Sequence, residues 1–300
     1  MASVKKRLDE VYKKAKIIPY DFNSKFILMS DCHRGQGNAA DNFLPNQTLF
    51  FGALEYYYQN GYTYIELGDG DELWENRKIE TIIDVHSDTF WMLSNFYREN
   101  RFYMLYGNHD IVKARSSFSK NYCEKYYYEC EQCHLPLFPK IEMYEGLILE
   151  DIRSKQRIFL VHGHQGDLLN DTLWPLARFL VRYVWHGLEL IGFLDPTGAG
   201  RPRKQKEKVE KKLSAYAKSR GEILVAGHTH RPSFQKPGQS LYFNDGSCVH
   251  PSCITGIEIV NGYISLIKWS IRSKADRTLY VGKEYLEEPV RISDYYKYLL

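Results

Sequence analysis

The stretch FILMSDCHRG, residues 26–35, decides the fold: apolar residues suited to a buried strand run straight into Asp31 and His33, side chains that handle metals and phosphates. The same transition recurs four times. TYIEL (63–67) leads into Gly68-Asp69-Gly-Asp-Glu72, FYMLY (102–106) into Gly107-Asn-His-Asp110, IFLV (158–161) into His162-Gly-His164, and ILVA (223–226) into Gly227-His-Thr-His230. Of ten histidines, six (His33, His109, His162, His164, His228 and His230) fall inside these five segments. Open α/β sheets present their functional groups in this way, from strand ends.

Working outward, the pattern alternates. Strands are expected near 25–30, 62–67, 101–106 and 157–162, with helices near 46–60 and 78–98 between them. After residue 222 the apolar runs are short, β-branched or aromatic, and separated by Gly or Asn turns, so strands are expected at 222–226, 240–244, 254–260 and 263–269. Val4, Leu8, Val11 and Ala15 give the N-terminus the spacing of an amphipathic helix; it lacks the apolar core and cleavage site of a secretory signal. The expected fold is α/β, a four-layer α/β/β/α two-sheet sandwich with the five motifs along one edge.

The residue types set the chemistry. Imidazole nitrogens, carboxylates and one amide oxygen suit divalent ions such as Mn²⁺, Zn²⁺ or Fe²⁺, whereas a closed thiolate cage marks structural zinc. One ion needs three or four protein ligands, and the motifs offer about seven, so two ions sharing a carboxylate is the economical count. Asp69 is the best bridge. A lone DxH or HxH arises easily by chance, and an isolated His33 would read as a hydrogen-bonded structural histidine. The ordered set of five reverses that reading, but leaves His86, His134, His186 and His250 as structural.

In order, DxH, GDxxE, GNHD, HGH and GHTH resemble the motifs of the calcineurin-like metallophosphoesterases, from Asp31 to His230. The resemblance implies that Asp31, His33, Asp69 and His230 hold one ion, and that Asp69, Asn108, His162 and His228 hold the other. His109 is then left free to contact the phosphoryl group or protonate the leaving group. Asp110 is expected to hydrogen-bond His109, and His164 to be a supporting or substrate contact. Mn²⁺ is the first choice of metal. Arg34 and Arg77, placed just after the first two motifs, are candidate phosphate contacts.

The chain of 300 residues, 44% hydrophobic and 26% charged, allows a single domain over 1–300 with a helical cap at about 168–221. That insertion opens with LLNDTLWPLARFLVRYVWHGLELIGFL, where Arg178, Arg182 and His186 recur at helical spacing on an otherwise apolar segment. Arg178 and Arg182 are therefore cap-side substrate candidates. Arg201 to Arg220 carries nine Lys or Arg against two Glu, a local balance of +7 in a chain totalling +3. Its ordinary reading is a solvated helix face over a Val209, Leu213, Tyr216 seam; its functional reading is a surface for phosphates or anionic lipid, with nucleic acid the outside case. Six cysteines without a secretory context point to a reduced, cytoplasmic setting, with peripheral contact at the inner face of the membrane through the basic cap. Cys123, Cys130 and Cys133 lack the paired spacing of a zinc site and are expected as small fillers in a packed helix or loop.

A narrower resemblance joins GDxxExW (Gly68, Asp69, Glu72, Trp74), HGxxGD at 162–167 and GHTHRP at 227–232 to bacterial UDP-2,3-diacylglucosamine pyrophosphohydrolases. It implies a phosphate-containing small-molecule substrate that is nucleotide-linked or lipid-bearing. Those enzymes usually carry GNRD where this chain has GNHD. The competing expectation is a protein phosphatase or phosphodiesterase with the same metal centre. The cap discriminates between them, because a protein substrate needs an open groove.

Overall fold

Along the strand Lys25–Met29, Phe26 and Leu28 face one apolar core and Ile27 and Met29 face another. A strand buried on both faces in this period-2 manner belongs in the middle of a layered sheet. The computed structural model describes residues 2–128, 131–167, 171, 174, 178, 179, 181 and 203–297. Its described elements run α1 (Ala2–Lys14), β1 (Lys16–Tyr20), β2 (Lys25–Met29), α2 (Gln47–Gln59), β3 (Thr63–Leu67), α3 (Ile79–Val85), α4 (Ser87–Arg98) and β4 (Phe102–Leu105). Then come α5 (Ser116–Tyr122), β5 (Lys125–Tyr128), β6 (Cys133–Pro136), β7 (Met143–Tyr144), β8 (Gly146–Asp151), β9 (Arg157–Val161) and α6 (Arg203–Arg220). The chain closes with β10 (Ile223–Ala226), β11 (Tyr242–Asn244), β12 (Cys253–Val260), β13 (Tyr263–Ser273), β14 (Leu279–Arg291) and α7 (Ile292–Tyr296).

Two sheets form the two-sheet α/β architecture expected. One has the order β14-β13-β12-β2-β3-β4-β7 and the other β1-β8-β9-β10-β11. Strands β2, β3 and β4 are parallel neighbours in the first sheet, and β9 and β10 are parallel neighbours in the second. All five motifs therefore leave from C-terminal strand ends. Leu28, Ile65, Leu67 and Leu105 from the first sheet share a core with Leu149, Leu160 and Val225 from the second. Each fully buried side chain of this kind contributes about 1.5–3 kcal/mol. Helices α2 and α4 cover the outer face of the seven-stranded sheet, where Phe50, Leu54, Leu93 and Phe96 meet Tyr64 and Met104. On the other side, α1 and α6 bring Leu8, Val11, Val209, Leu213 and Tyr216 against the five-stranded sheet.

Three local expectations are corrected. The single helix expected at 78–98 is two, broken at His86, whose Nε2 lies 2.9 Å from Asp41 Oδ2 and whose Nδ1 lies 3.2 Å from Gln47 Oε1. Those side-chain bonds fix His86 in a non-helical conformation. The tyrosine and cysteine segment is helical only up to Cys123, which caps α5 and is buried; beyond it lies the β5–β6 hairpin, with Cys133 half-buried. The longest strand, β14, was not foreseen, because its charged residues leave it no clean apolar alternation. Arg182, His186, Cys130 and most of the cap segment lie outside the described residues. None of the described helices is long and apolar enough to cross a membrane.

Candidate dinuclear metal centre

Beyond the ends of β2 and β3 the two segments keep pairing. Asp31 N donates to Gly68 O at 3.1 Å, His33 N to Asp69 O at 2.9 Å and Glu72 N to Arg34 O at 3.0 Å. This pairing carries DxH and GDxxE side by side. Asp31, His33, Asp69, His228 and His230 all adopt left-handed backbone, with φ between 48° and 68°. Non-glycine residues hold that conformation at a cost and only where the surroundings enforce it, commonly at functional sites. Gly107 is required for a different reason: a Cβ there would strike the Asp69 carboxylate.

Three buried clusters result: Asp31 with His33 and His230; His33 with Asp69 and His109; and Asp69 with His162 and His228. Asp31 Oδ2 is held by the Ser30 hydroxyl and by His228 N, the latter at 2.8 Å, which leaves Oδ1 3.1 Å from His230 Nε2. Asp69 Oδ1 accepts the His109 N–H at 2.7 Å. Its Oδ2 is left between His162 Nε2 at 3.0 Å and His33 Nε2 at 3.9 Å. That oxygen stands between the two ligand groups, where a bridging carboxylate belongs. His162 Nδ1 meets Leu67 O at 2.9 Å, which makes it the protonated nitrogen and turns Nε2 toward Asp69.

The donor set fits two divalent ions. Asn108 is fully buried, yet neither its Oδ1 nor its Nδ2 has a hydrogen-bond partner, and His33 Nε2 is equally orphaned. Leaving such groups unpaired costs about 1–3 kcal/mol each, a cost that a cation on Oδ1 or Nε2 removes. Burial pushes the Asp69 carboxyl up, but His162, His109 and His33 outweigh it and hold it well below the usual carboxylate range. Asp69 is thus an anion ready to bridge.

Two residues given no role from sequence organise His109. Glu72 Oε2 lies 2.6 Å from His109 Nδ1 and 2.8 Å from His33 Nδ1. Burial raises the Glu72 carboxyl, but His109 and His33 pull it down to about 2. Trp74 stacks on His109 with ring centroids 4.2 Å apart and planes 21° apart. The signal for Glu72 was available in the GDxxE spacing. Asp167, the acid of HGxxGD, likewise supports a ligand, with Oδ2 3.6 Å from His228 Nε2.

Two other expectations, those for Asp110 and Arg34, fail on geometry. Asp110 accepts Gly107 N at 2.6 Å, Gly70 N at 3.2 Å and Lys113 Nζ at 2.7 Å, so it pins two motif backbones while Glu72 takes its expected partner His109. Arg34 is fully buried and turned away from any substrate: its guanidinium grips Glu66 at 2.9 and 3.0 Å and Asp71 at 2.7 Å. His164 is fully buried and groups with Glu145 and Asp171 rather than with the ligands, its Nε2 4.0 Å from Asp171 Oδ1. Arg77 and Arg178 come together at one cavity, apart from the ligand clusters.

Residues 24–232 match the family model for calcineurin-like phosphoesterases, more than half of the chain. The chain belongs to that family. Calcineurin-like phosphoesterases are metal-dependent phosphoester hydrolases that work with a dinuclear centre. No curated protein matches the chain. Among solved structures it is similar to Chaetomium thermophilum Vps29, at 11% identity over 87% of this chain and 96% of that one, with a TM-score of 0.40. The same protein complexed with the RaPID-derived cyclic peptide RT-D3 matches at 10% identity over 89% and 98%, with a TM-score of 0.36.

Proposed function

We propose that this phosphoesterase hydrolyses a phosphoester or diphosphate bond in a small molecule, nucleotide-linked or lipid-linked, with Mn²⁺ as its preferred ion. The observation carrying this reading is Asp69 Oδ2, set between His33 and His162 with the orphaned Asn108 alongside. Asp31, His33, Asp69 and His230 hold one ion, and Asp69, Asn108, His162 and His228 the other. When bound, two such ions lower the pKa of a shared water from about 15.7 toward about 7 and neutralise phosphate oxygens.

The chain's own groups do the rest. His109, fixed by Glu72 at Nδ1, offers Nε2 to a phosphoryl oxygen or to the departing oxygen. A compact substrate is favoured over a protein because Trp74, with Val181 and Trp174 packed against it, covers the face of His109. An open groove needs that face clear. A cytoplasmic setting with peripheral contact at an anionic membrane is part of the same reading, supported by the exposed Lys204, Lys208, Lys211 and Lys218 of α6.

The test is metal analysis combined with Mn²⁺-supplemented assays on bis-p-nitrophenyl phosphate, a UDP-linked lipid and a phosphopeptide. Two ions per chain are expected, with activity abolished by chelation, restored by Mn²⁺ and lowest on the phosphopeptide. Full activity after metal removal, or a phosphopeptide preference, overturns the reading.

A further inference from the structure

Gly163, with φ 112° in the left-handed region, opens the single turn His164–Gly166 and sends the two histidines of HGH to different neighbours. His162 Nε2 faces Asp69, whereas His164 Nε2 lies 4.0 Å from Asp171 Oδ1. Asp167 N donates to His164 O at 2.8 Å and Asp171 N to Asp167 O at 2.9 Å, so the local backbone itself brings Asp171 back to His164. Glu145, between β7 and β8, completes the group: one ligand atom from each of Glu145, His164 and Asp171 lies within 4.8 Å of the others.

Two observations set this group apart from an ordinary pair of acids. His164 is fully buried, and neither its Nδ1 nor its Nε2 has a hydrogen-bond partner, a rare condition for a buried polar side chain. The Asp171 oxygen is too far away for a hydrogen bond, yet an ion about 2.0–2.2 Å from each atom spans that gap. The second observation is that a cation already holds the carboxylates together. Arg7 Nε lies 3.1 Å from Asp171 Oδ1, and Arg7 Nη2 pairs with Glu145 Oε1. This guanidinium sets one positive charge against two negative ones and leaves the imidazole unserved.

We propose that Glu145, His164 and Asp171 form a third divalent-cation site, separate from the dinuclear pair, which takes Zn²⁺ in competition with Arg7. One imidazole and two carboxylates, with water in the fourth position, are a zinc-binding set. Zn²⁺ binds nitrogen and oxygen donors more tightly than Mn²⁺, so Mn²⁺ fills the dinuclear pair and added Zn²⁺ fills the third site. An ion there fastens Asp171, at the start of the inserted segment, to the HGH motif and to the start of β8, and it releases Arg7 of α1.

In the test, Mn²⁺-loaded protein is equilibrated with excess Zn²⁺ and desalted, and its total Mn and Zn are measured by plasma emission. Wild type is expected to hold three ions per chain, and the double variant Glu145→Gln, Asp171→Asn only two. Arg7→Met is expected to keep the third ion at a free Zn²⁺ concentration at least tenfold below that needed by wild type, and to gain more in melting temperature when Zn²⁺ is added. A wild-type total of two at saturating Zn²⁺, or a third ion that survives in the double variant, overturns the site. So does an affinity for the third ion that Arg7→Met leaves unchanged or weakens. Should the double variant fail to fold, the Arg7→Met measurement decides alone, because breaking a purely structural ion pair does not tighten zinc binding. Failure of the dinuclear reading shows separately, as fewer than two Mn²⁺ per chain before Zn²⁺ is added.

Discussion

Glu72 Oε2 lies 2.6 Å from His109 Nδ1, and the same oxygen lies 2.8 Å from Nδ1 of His33. One carboxylate oxygen thus orients both a candidate metal ligand, His33, and His109, the histidine proposed to meet the phosphoryl group. Partners of this kind typically change metal affinity or activity by about 10- to 100-fold. Glu72→Gln is expected to lower kcat within that range while retaining two ions per chain, because Gln keeps the shape but loses the charge. Plasma emission analysis and turnover on one preparation check it; metal loss as complete as in His33→Ala would make Glu72 a ligand instead.

His109 and Asn108 are neighbours in sequence but are assigned opposite tasks. His109→Ala should cost about 10²- to 10⁴-fold in turnover with two ions still bound, the usual range for a lost general acid. Asn108→Ala should release one of the two ions. Stoichiometry separates the variants, and a His109→Ala protein with one ion would reverse the assignment.

The positions of the five motifs were legible in the sequence for a physical reason. Ligands must sit at strand ends, and the strands feeding them are buried on both faces, so apolar runs and polar ends mark them together. The partners of the ligands carry no such period. Asp245 meets the site through folding alone: Ser30 Oγ donates to Asp245 Oδ1 at 2.8 Å across 215 residues of chain. Arg34 misled in the other direction, because adjacency to a motif says nothing about which face of the backbone a side chain takes. The β14 strand was hidden by charges that its exposed position tolerates.

Arg34 is expected to behave as a structural strut. Its removal leaves Glu66 buried without its two-bond partner and Asp71 with Lys113 alone, and breaking such a network costs about 3–5 kcal/mol. Arg34→Met should therefore lower the melting temperature strongly and have little specific effect on KM. The network also sets an acid limb. Burial raises the Asp71 carboxyl, but Arg34 and Lys113 outweigh it and hold it well below its unfolded value. With the folded pKa lowered, the stabilisation is fully present above the unfolded pKa of about 4 and is lost as pH falls below it. Melting curves from pH 6 to pH 3 should fall more steeply for wild type than for Arg34→Met. Parallel curves, or a raised KM at unchanged stability, would return Arg34 to the substrate.

Trp74 offers a sharper separation between fold and site. Its indole lies against His109 at 4.2 Å and is itself covered by Val181 and Trp174, so it links the inserted segment to His109. Trp74→Ala removes a fully buried side chain, a change that typically costs about 3–5 kcal/mol, so a lower melting temperature alone would say nothing about function. Trp74→Phe is the informative variant. It keeps an aromatic face on the imidazole but shortens the reach toward Val181 and Trp174. If the indole only orients His109, Trp74→Phe should retain kcat within about threefold, since the imidazole is still held at Nδ1 by Glu72. If the inserted segment must be seated on Trp74 to receive substrate, KM should rise while kcat holds. A fall in kcat at constant KM would instead place the effect on the His109 ring. Steady-state kinetics on bis-p-nitrophenyl phosphate, with melting temperature as control, distinguishes these outcomes.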